Sequence, residues 1–218
     1  MRGRSTCGLA VLVMSVLAAC STGGDDSGGA APKPTAKSAR PKVSVPPVRN
    51  GADTDAATRA AAEEWLRSQP DEQGKDAPDE RGFVEVRTER GISSFVWQTR
   101  DDRFCAADVA GFSVVTCLPH PIPLSKGPDI TELGYVPDPG WTVLLAADHQ
   151  EVTSATCAGE PVEVHRVETL HEGERIVYAV HFTERRLGSM TLGLRRGTAS
   201  ATARVDVNGV ISQGPRCG

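Results

Sequence analysis

A succession of short β-branched segments, separated by turn residues, begins at Gly82 and continues to the C-terminus, and this pattern most constrains the fold. Nine strands are predicted in it: Phe83–Glu89, Ile92–Thr99, Phe104–Val109, Ser113–Leu118, Trp141–Ala146, Val162–Leu170, Arg175–Thr183, Met190–Arg195 and Ala199–Val207. Many short strands with Gly, Asp or Pro turns between them are typical of antiparallel sandwiches and barrels, not of α/β folds. The sequence therefore predicts a mainly β domain over residues 82–218, either an antiparallel sandwich or a barrel-like structure, with chain enough for one core.

One long segment, His120–Gly140, interrupts this pattern. It holds five prolines: Pro121, Pro123, Pro128, Pro137 and Pro139. Because proline cannot donate to a strand ladder, we expect a loop here that divides two β-layers. Long loops in compact domains are often functional or disordered. Trp141, at the end of the segment, either anchors the core or marks a contact surface.

The first residues of the chain have the organisation of a secretory signal. Arg2 and Arg4 make the start positive, and Gly8–Leu17 is almost entirely apolar. An apolar run of this length suits a signal peptide and is shorter than the about 20 residues that span a bilayer. Residues 1–19 are therefore predicted to be a cleaved signal peptide.

The apolar run ends in Leu17-Ala18-Ala19-Cys20, which resembles the lipobox of bacterial lipoproteins. The resemblance covers residues 1–20 only, and it implies cleavage before Cys20 and a covalent diacylglycerol and N-acyl lipid on that cysteine. Two or more acyl chains give durable anchoring, where one chain gives only reversible binding. The protein is therefore expected to be held on the extracytoplasmic face of the cell membrane. No cofactor other than this lipid is expected. The alternative is an ordinary signal peptide with a chance cysteine.

The mature chain is predicted to be mildly acidic. Removal of the two arginines of the signal lowers the net charge from −4 to about −6. This charge argues against nucleic acid as a partner. The basic pairs Arg185-Arg186 and Arg195-Arg196 could contact acidic wall polymers or anionic lipid headgroups. The acidic net charge of the chain favours the simpler interpretation that they are solvated residues at the ends of strands.

Residues 20–50 are predicted to be a lipidated cysteine followed by a disordered linker. Gly, Ser and Asp dominate its first half, prolines stiffen its second half, and there is no apolar periodicity. Such a segment cannot bury enough apolar surface to offset the entropy of ordering it. We expect it to hold the folded domain away from the lipid headgroups.

Residues 51–81 are predicted to form one short helix, over 54–68, and a polar loop. Three residues can cap its start: Asp53, Thr54 and Asp55. Pro70 prevents its continuation. Its apolar stripe consists of Ala57, Ala61 and Trp65, with Ala62 and Leu66 beside it. We expect docking on the β-domain through Trp65; the alternative is a helix that binds a partner.

Four cysteines remain once Cys7 leaves with the signal and Cys20 takes lipid: Cys105, Cys117, Cys157 and Cys217. An even number in an exported domain predicts two disulfides, and three pairings are possible. A three-residue hairpin loop centred on Gly111 would place Cys105 opposite Cys117, near bridging distance. Cys157–Cys217 then follows by elimination. The rival four-cysteine zinc site lacks a C-x₂₋₄-C pair, so no metal is predicted.

The sequence holds no motif for catalysis or cofactor binding. There is no G-x-S-x-G, no H-E-x-x-H, no P-loop and no G-x-G-x-x-G after a strand. Sequence spacing does not exclude a Ser-His-Asp triad assembled from distant residues. The absence of motifs nevertheless favours a protein that is not an enzyme.

One pair of histidines is a weaker candidate site. With a three-residue turn centred on Gly173, His165 would face His181 across a hairpin. Ile176 and Tyr178 would line the core face, which places both imidazoles on the opposite, wetter face. A metal would need a third ligand, and none is evident, so two exposed polar residues are the simpler interpretation.

These observations favour a lipid-tethered, non-enzymatic module that binds or scaffolds an envelope protein or a wall polymer. The alternative is a secreted hydrolase whose site is not visible in the sequence. A solute-binding lipoprotein ranks third, because its usual two-lobed body needs a far longer chain.

Overall fold

The computed structural model describes residues 49–50, 56–69, 74–110, 113–137, 140–207 and 214–217. The predicted signal peptide, the predicted lipidation site Cys20 and the linker up to residue 48 lie outside the described residues. Helix α1 is Ala56–Ser68. The strands are β1 Arg49–Asn50, β2 Val84–Glu89, β3 Ile92–Gln98, β4 Phe104–Val109, β5 Ser113–Cys117, β6 Asp129–Val136, β7 Trp141–Asp148, β8 Glu151–Cys157, β9 Glu160–Leu170, β10 Arg175–Phe182, β11 Ser189–Arg196 and β12 Ala199–Asp206.

The strands form two sheets, and the prediction of a mainly β, antiparallel and barrel-like fold is confirmed. The small sheet has the order β2-β3-β4-β5, and the large sheet has the order β12-β11-β8-β9-β10-β7-β6. Neighbours in both orders are antiparallel; β1 adds to β9 in parallel. The large sheet curls into a half-barrel, which brings its edge strand β12 close to its other edge strand β6.

Tight turns fix the register of the hairpins. Glu89 pairs with Ile92 across the two-residue turn Arg90-Gly91, in which both residues have positive φ, 54° and 77°. This is the geometry of a type I′ turn, whose twist matches that of antiparallel strands. Glycine at the second position removes the steric cost of the left-handed conformation. The hairpin of β2 and β3 is therefore specified locally.

The concave side of the large sheet encloses the main core, which we call the interior cluster. Large aliphatic and aromatic side chains from β7, β8, β10 and β11 fill it: Val143, Leu145, Val152, Ile176, Tyr178, Val180, Met190, Leu192 and Leu194 among them. The convex side packs against the small sheet through an outer cluster that includes Val86, Val96, Phe104, Leu144, Val177 and Ala179. Strands β7 and β10 are consequently buried along their whole length.

Helix α1 covers the other face of the small sheet, but not through the predicted residue. Leu66 is fully buried and Ala62 nearly so, whereas 39% of Trp65 is exposed. The sheet presents the aromatic side chains of Phe95 and Trp97 to the helix. The helix packs on these rings through Ala62 and Leu66, beside the predicted stripe, whereas Ala57, Ala61 and Trp65 of the stripe itself are exposed.

Three strands were not predicted. β6 lies inside the predicted loop, directly between Pro128 and Pro137. A bulge between Glu132 and Gly134 interrupts its alternation of apolar and polar residues, so the pattern of a strand is hidden. The preceding part of the segment does connect the small sheet to the large one, as predicted. β8 was missed because small polar residues dominate it, and β1 occupies the predicted end of the linker.

Candidate functional site

Both predicted disulfides are present. Cys105 pairs with Cys117 across β4 and β5, with Cα atoms 4.0 Å apart. Cys157 at the end of β8 is bonded to Cys217, which clips the C-terminal segment to the large sheet. Disulfides form in oxidising compartments, so the two bonds indicate an extracytoplasmic location.

The cysteines do not form a metal site. In the described part of the chain, one cluster brings three potential metal ligands together: Asp76, Cys105 and Cys117. The two sulfur atoms of this cluster are bonded to each other, so neither offers a thiolate.

The turn between the two candidate histidines differs from the predicted one. A four-residue loop, His171–Glu174, joins the paired residues Leu170 and Arg175, whereas a three-residue loop was predicted. Since successive side chains alternate between the faces of a strand, this change alone would place His165 and His181 on opposite faces.

A β-bulge at Val167 returns the histidines to one face of the sheet. The extra residue shifts the register, so that His165 pairs with Ala179 and His181 pairs with Glu163. The histidines are therefore diagonal neighbours rather than directly opposite each other. Their rings meet edge to face, with centroids 4.8 Å apart.

The prediction that this face is wet is wrong. Only 5% of His165 and 6% of His181 are exposed. The small sheet covers this side, where Val86 of β2 packs in the same outer cluster as Val177 and Ala179. The imidazoles thus lie between the two sheets.

His181 is held as a neutral, buried side chain. Its Nδ1 is 2.7 Å from the hydroxyl of Thr142. Burial lowers the pKa of His181 to about 3, and the nearby His165 and Arg87 act in the same direction. Nε2 of His165 lies 3.0 Å from a carboxylate oxygen of Glu163. These partners of both imidazoles belong to the large sheet, so the arrangement suits a structural polar contact between strands of that sheet.

A cleft of about 430 Å³ lies beside His181. Its walls carry charges of both signs in balance: Arg87, Arg90, Arg186, Glu89, Glu160 and Glu163. Glu89 forms ion pairs with both Arg87 and Arg90, and Arg186 pairs with Glu184 at 2.9 Å. Four of the six wall charges are therefore in ion pairs, whereas Nε2 of His181, which also lines this cleft, is buried with no hydrogen-bond partner.

The larger cleft, of about 760 Å³, lies between the C-terminal part of α1, the strand β5 and the segment that follows β5. We call it the α1–β5 cleft. Trp65 and Val115 form part of its walls. In the described residues, three large hydrophobic side chains are exposed, and all belong to α1 or β5: Trp65, Val114 and Val115. Of these, Trp65 and Val115 line the cleft, whereas Val114 lies on the opposite face of the small sheet.

The floor of the α1–β5 cleft is a rigid ionic network around Arg103, of which 7% is exposed. Its guanidinium donates to Asp76 at 2.7 Å and to Asp101 at 2.8 Å, and also to the backbone oxygen of Lys75. Hydrogen bonds from Arg103 and from the hydroxyl of Thr99 lower the pKa of Asp101 to about 2. Asp101 is therefore ionised, and both carboxylates accept hydrogen bonds from the same guanidinium.

A second buried arginine fixes the segment that continues from this cleft. Arg175, which is fully buried, forms two hydrogen bonds with Asp148, at 2.6 and 2.8 Å. It also donates to the backbone oxygens of Ile122 and Pro123, and Asp148 accepts the backbone N–H of Ser125. The pair thus anchors the proline-rich segment to β7 and β10. No feature of the sequence identified it.

The basic pairs are ordinary strand ends. Arg195 is ion-paired with Glu151, and Arg196 donates to the side chain of Gln150. Arg185 lies over the ring of Trp141, 4.3 Å from its centroid. Trp141 itself belongs to the interior cluster, so it anchors the core.

Comparison with known proteins gives no relative: no family model, no curated protein and no solved structure matches this chain. Within the described ranges, the structure has no helix that is both long and apolar enough to cross a bilayer.

Proposed function

We propose that this protein is a lipid-anchored, extracytoplasmic module that binds another component of the cell envelope through the α1–β5 cleft. The observation that carries the proposal is the position of two exposed apolar side chains: Trp65 and Val115, from different elements, line the same cleft. Exposed apolar side chains beside polar groups are typical of protein interaction sites.

The chemistry of the cleft supports binding rather than catalysis. Its described lining includes two carboxylates, Asp76 and Asp101, and no serine or histidine. Both carboxylates accept hydrogen bonds from Arg103, which leaves them poorly placed to act as a general acid or base. A preorganised floor of this kind lowers the entropic cost of binding a partner.

The proposed anchor is the lipid on Cys20, supported by the resemblance of residues 17–20 to a lipobox and by the disulfides of an exported domain. We expect Cys20→Ser to give uncleaved or unanchored protein, measured by detergent-phase partition. Cys7→Ser, within the signal, is the matched control and should stay anchored. A Cys20→Ser chain that loses its signal and still enters the detergent phase fully would refute the anchor.

Photocrosslinking in intact cells tests the binding surface. A photoreactive residue replaces Val115 in one variant and Thr202, an exposed residue of β12, in the control. We expect a discrete adduct with one envelope component from position 115 and none from position 202. The same adducts from both positions, or only nonspecific adducts at position 115, would refute the proposed surface.

A further inference from the structure

We infer that the partner binds as an extended polypeptide strand that adds to the free edge of β5. This inference rests on the proposed function and specifies the class of partner. Strand addition uses main-chain hydrogen bonds for affinity and alternate side chains for specificity.

The hydrogen-bonding phase of β5 leaves main-chain groups free at its outer edge. The backbone N–H of Leu118 donates to the oxygen of Phe104 at 2.8 Å, so these two residues form a hydrogen-bonded pair. Hydrogen-bonded and non-hydrogen-bonded pairs alternate along an antiparallel ladder. The N–H and C=O groups of Val115 and Cys117 therefore point away from β4, and no described strand pairs with that edge.

The separation across the disulfide agrees with this phase. The Cα atoms of Cys105 and Cys117 are 4.0 Å apart. Non-hydrogen-bonded antiparallel pairs have Cα separations of about 4.5 Å, against about 5.5 Å for hydrogen-bonded pairs. Cys117, and Val115 two residues before it, thus present their main-chain groups outward.

The edge of β5 also lacks the charges that commonly prevent strand addition. The other long edge strands in the described part each carry charged residues: Glu85, Arg87 and Glu89 in β2, Asp129 and Glu132 in β6, and Arg204 and Asp206 in β12. β5, Ser-Val-Val-Thr-Cys, carries none. Proteins commonly protect exposed edges with charge, so an uncharged β-branched edge is suited to pairing with another chain.

The side chains of β5 define what an added strand would contact. Val115 shares a face of the sheet with Cys117, beside α1, and lines the cleft together with Trp65. Val114 lies on the opposite face and is 48% exposed. The partner that fits is an uncharged segment with β-branched or aromatic residues at alternate positions.

A second copy of this chain fits the edge less well. β5 has five residues and, at about 3.3 Å per residue, is roughly 17 Å long. Symmetric pairing of two such short edges buries little surface compared with the about 1,200 Å² that a stable interface buries. A separate peptide can continue beyond the strand into the cleft of about 760 Å³ and bury more surface.

Residue-resolved amide exchange of the full chain tests the inference. The probes are capped synthetic nonapeptides that alternate threonine with valine, leucine or tryptophan, and matched peptides N-methylated on alternate residues. We expect an unmethylated probe to slow exchange at Val115 and Cys117 by about tenfold or more, and to leave Val114 and Thr116, already bonded to β4, unchanged. The methylated peptides should not slow exchange.

Two variants distinguish the contribution of the main-chain N–H at position 115 to peptide binding from that of the valine side chain. Val115→Pro removes an outward N–H without removing a hydrogen bond to β4, and it should weaken peptide binding about tenfold or more. Val115→Thr keeps the N–H and should bind within about threefold of the unchanged chain. Circular dichroism confirms that both variants fold.

The outcomes distinguish this inference from the proposed function. Peptide binding that survives Val115→Pro, or that leaves exchange at Val115 and Cys117 unchanged, overturns strand addition and leaves the cleft as the binding surface. Slower exchange at Val115 and Cys117 that increases with protein concentration and needs no peptide would identify a second copy of the chain at this edge. That result also overturns the inference of a separate peptide partner. If no probe slows exchange at these amides, strand addition is wrong, whereas failure of crosslinking at position 115 refutes the cleft itself.

Discussion

Arg175 and Asp148 illustrate at the residue scale how one buried pair can position a whole segment. Both side chains are almost completely buried, and their hydrogen bonds extend to the backbone at Ile122, Pro123 and Ser125. Burial would raise the pKa of Asp148, but its hydrogen bonds with Arg175 and the Ser125 N–H hold that pKa below its usual value. The carboxylate is therefore ionised, and its negative charge is stabilised in the interior by the guanidinium of Arg175.

Removing one member of this pair should lower the stability of the fold substantially. We expect Arg175→Met to lower the free energy of unfolding by about 3–5 kcal/mol, because it leaves an uncompensated buried charge. The double variant Arg175→Met, Asp148→Leu should recover most of that loss. Urea unfolding of the single and double variants measures both effects. A single variant within about 1 kcal/mol of the unchanged chain would contradict the assigned role.

His181 predicts a dependence of stability on pH. Its pKa of about 3 in the folded chain lies below the ordinary 6.5, so the unfolded chain binds more protons between these values. The folding free energy that depends on a neutral His181 is fully present above pH 6.5 and is lost as the pH falls toward 3. The loss at pH 5 is about 2 kcal/mol.

His181→Asn isolates this contribution from those of the carboxylates. Unfolding free energies at pH 7.5 and pH 5 should fall less steeply for the variant than for the unchanged chain. Parallel curves for the two proteins would show that the burial of this imidazole does not govern the pH dependence.

At the scale of helices and strands, the sequence predicted the elements that follow simple periodicity. The nine predicted strands and the helix are present, and β-branched segments between turn residues, or a cap and a terminating proline for the helix, had indicated them. β6 and β8 were missed because bulges and small polar residues break the alternation of apolar and polar residues. The histidine register also depended on a bulge, at Val167, which sequence spacing cannot reveal.

The two disulfides should contribute unequally. Cys157–Cys217 joins residues 60 positions apart, whereas Cys105–Cys117 joins residues 12 apart. Chain-entropy arguments give about 4 and about 3 kcal/mol respectively. We expect replacement of the long-range pair by alanines to lower stability more in urea unfolding. An equal or reversed order would mean that the register of the local hairpin governs stability.

For the molecule as a whole, the candidate site was less predictable than the fold. Trp65, Arg103 and Val115 are distant in sequence and line one cleft only because α1 packs on the small sheet. Trp65 was expected inside the interface with the sheet, and it instead forms a wall of the cleft. A site assembled from three separate elements leaves no local pattern in the sequence.

Binding of the unlipidated chain to isolated envelopes tests the central claim most directly. Residues 20–218 with Cys20→Ser are sedimented with envelopes from cells that lack this protein, which separates specific binding from lipid anchoring. We expect saturable binding that Val115→Lys weakens about tenfold or more, while the control Thr202→Lys on β12 leaves it unchanged. Equal binding of the two lysine variants, or no saturable binding of the parent chain, would contradict the account.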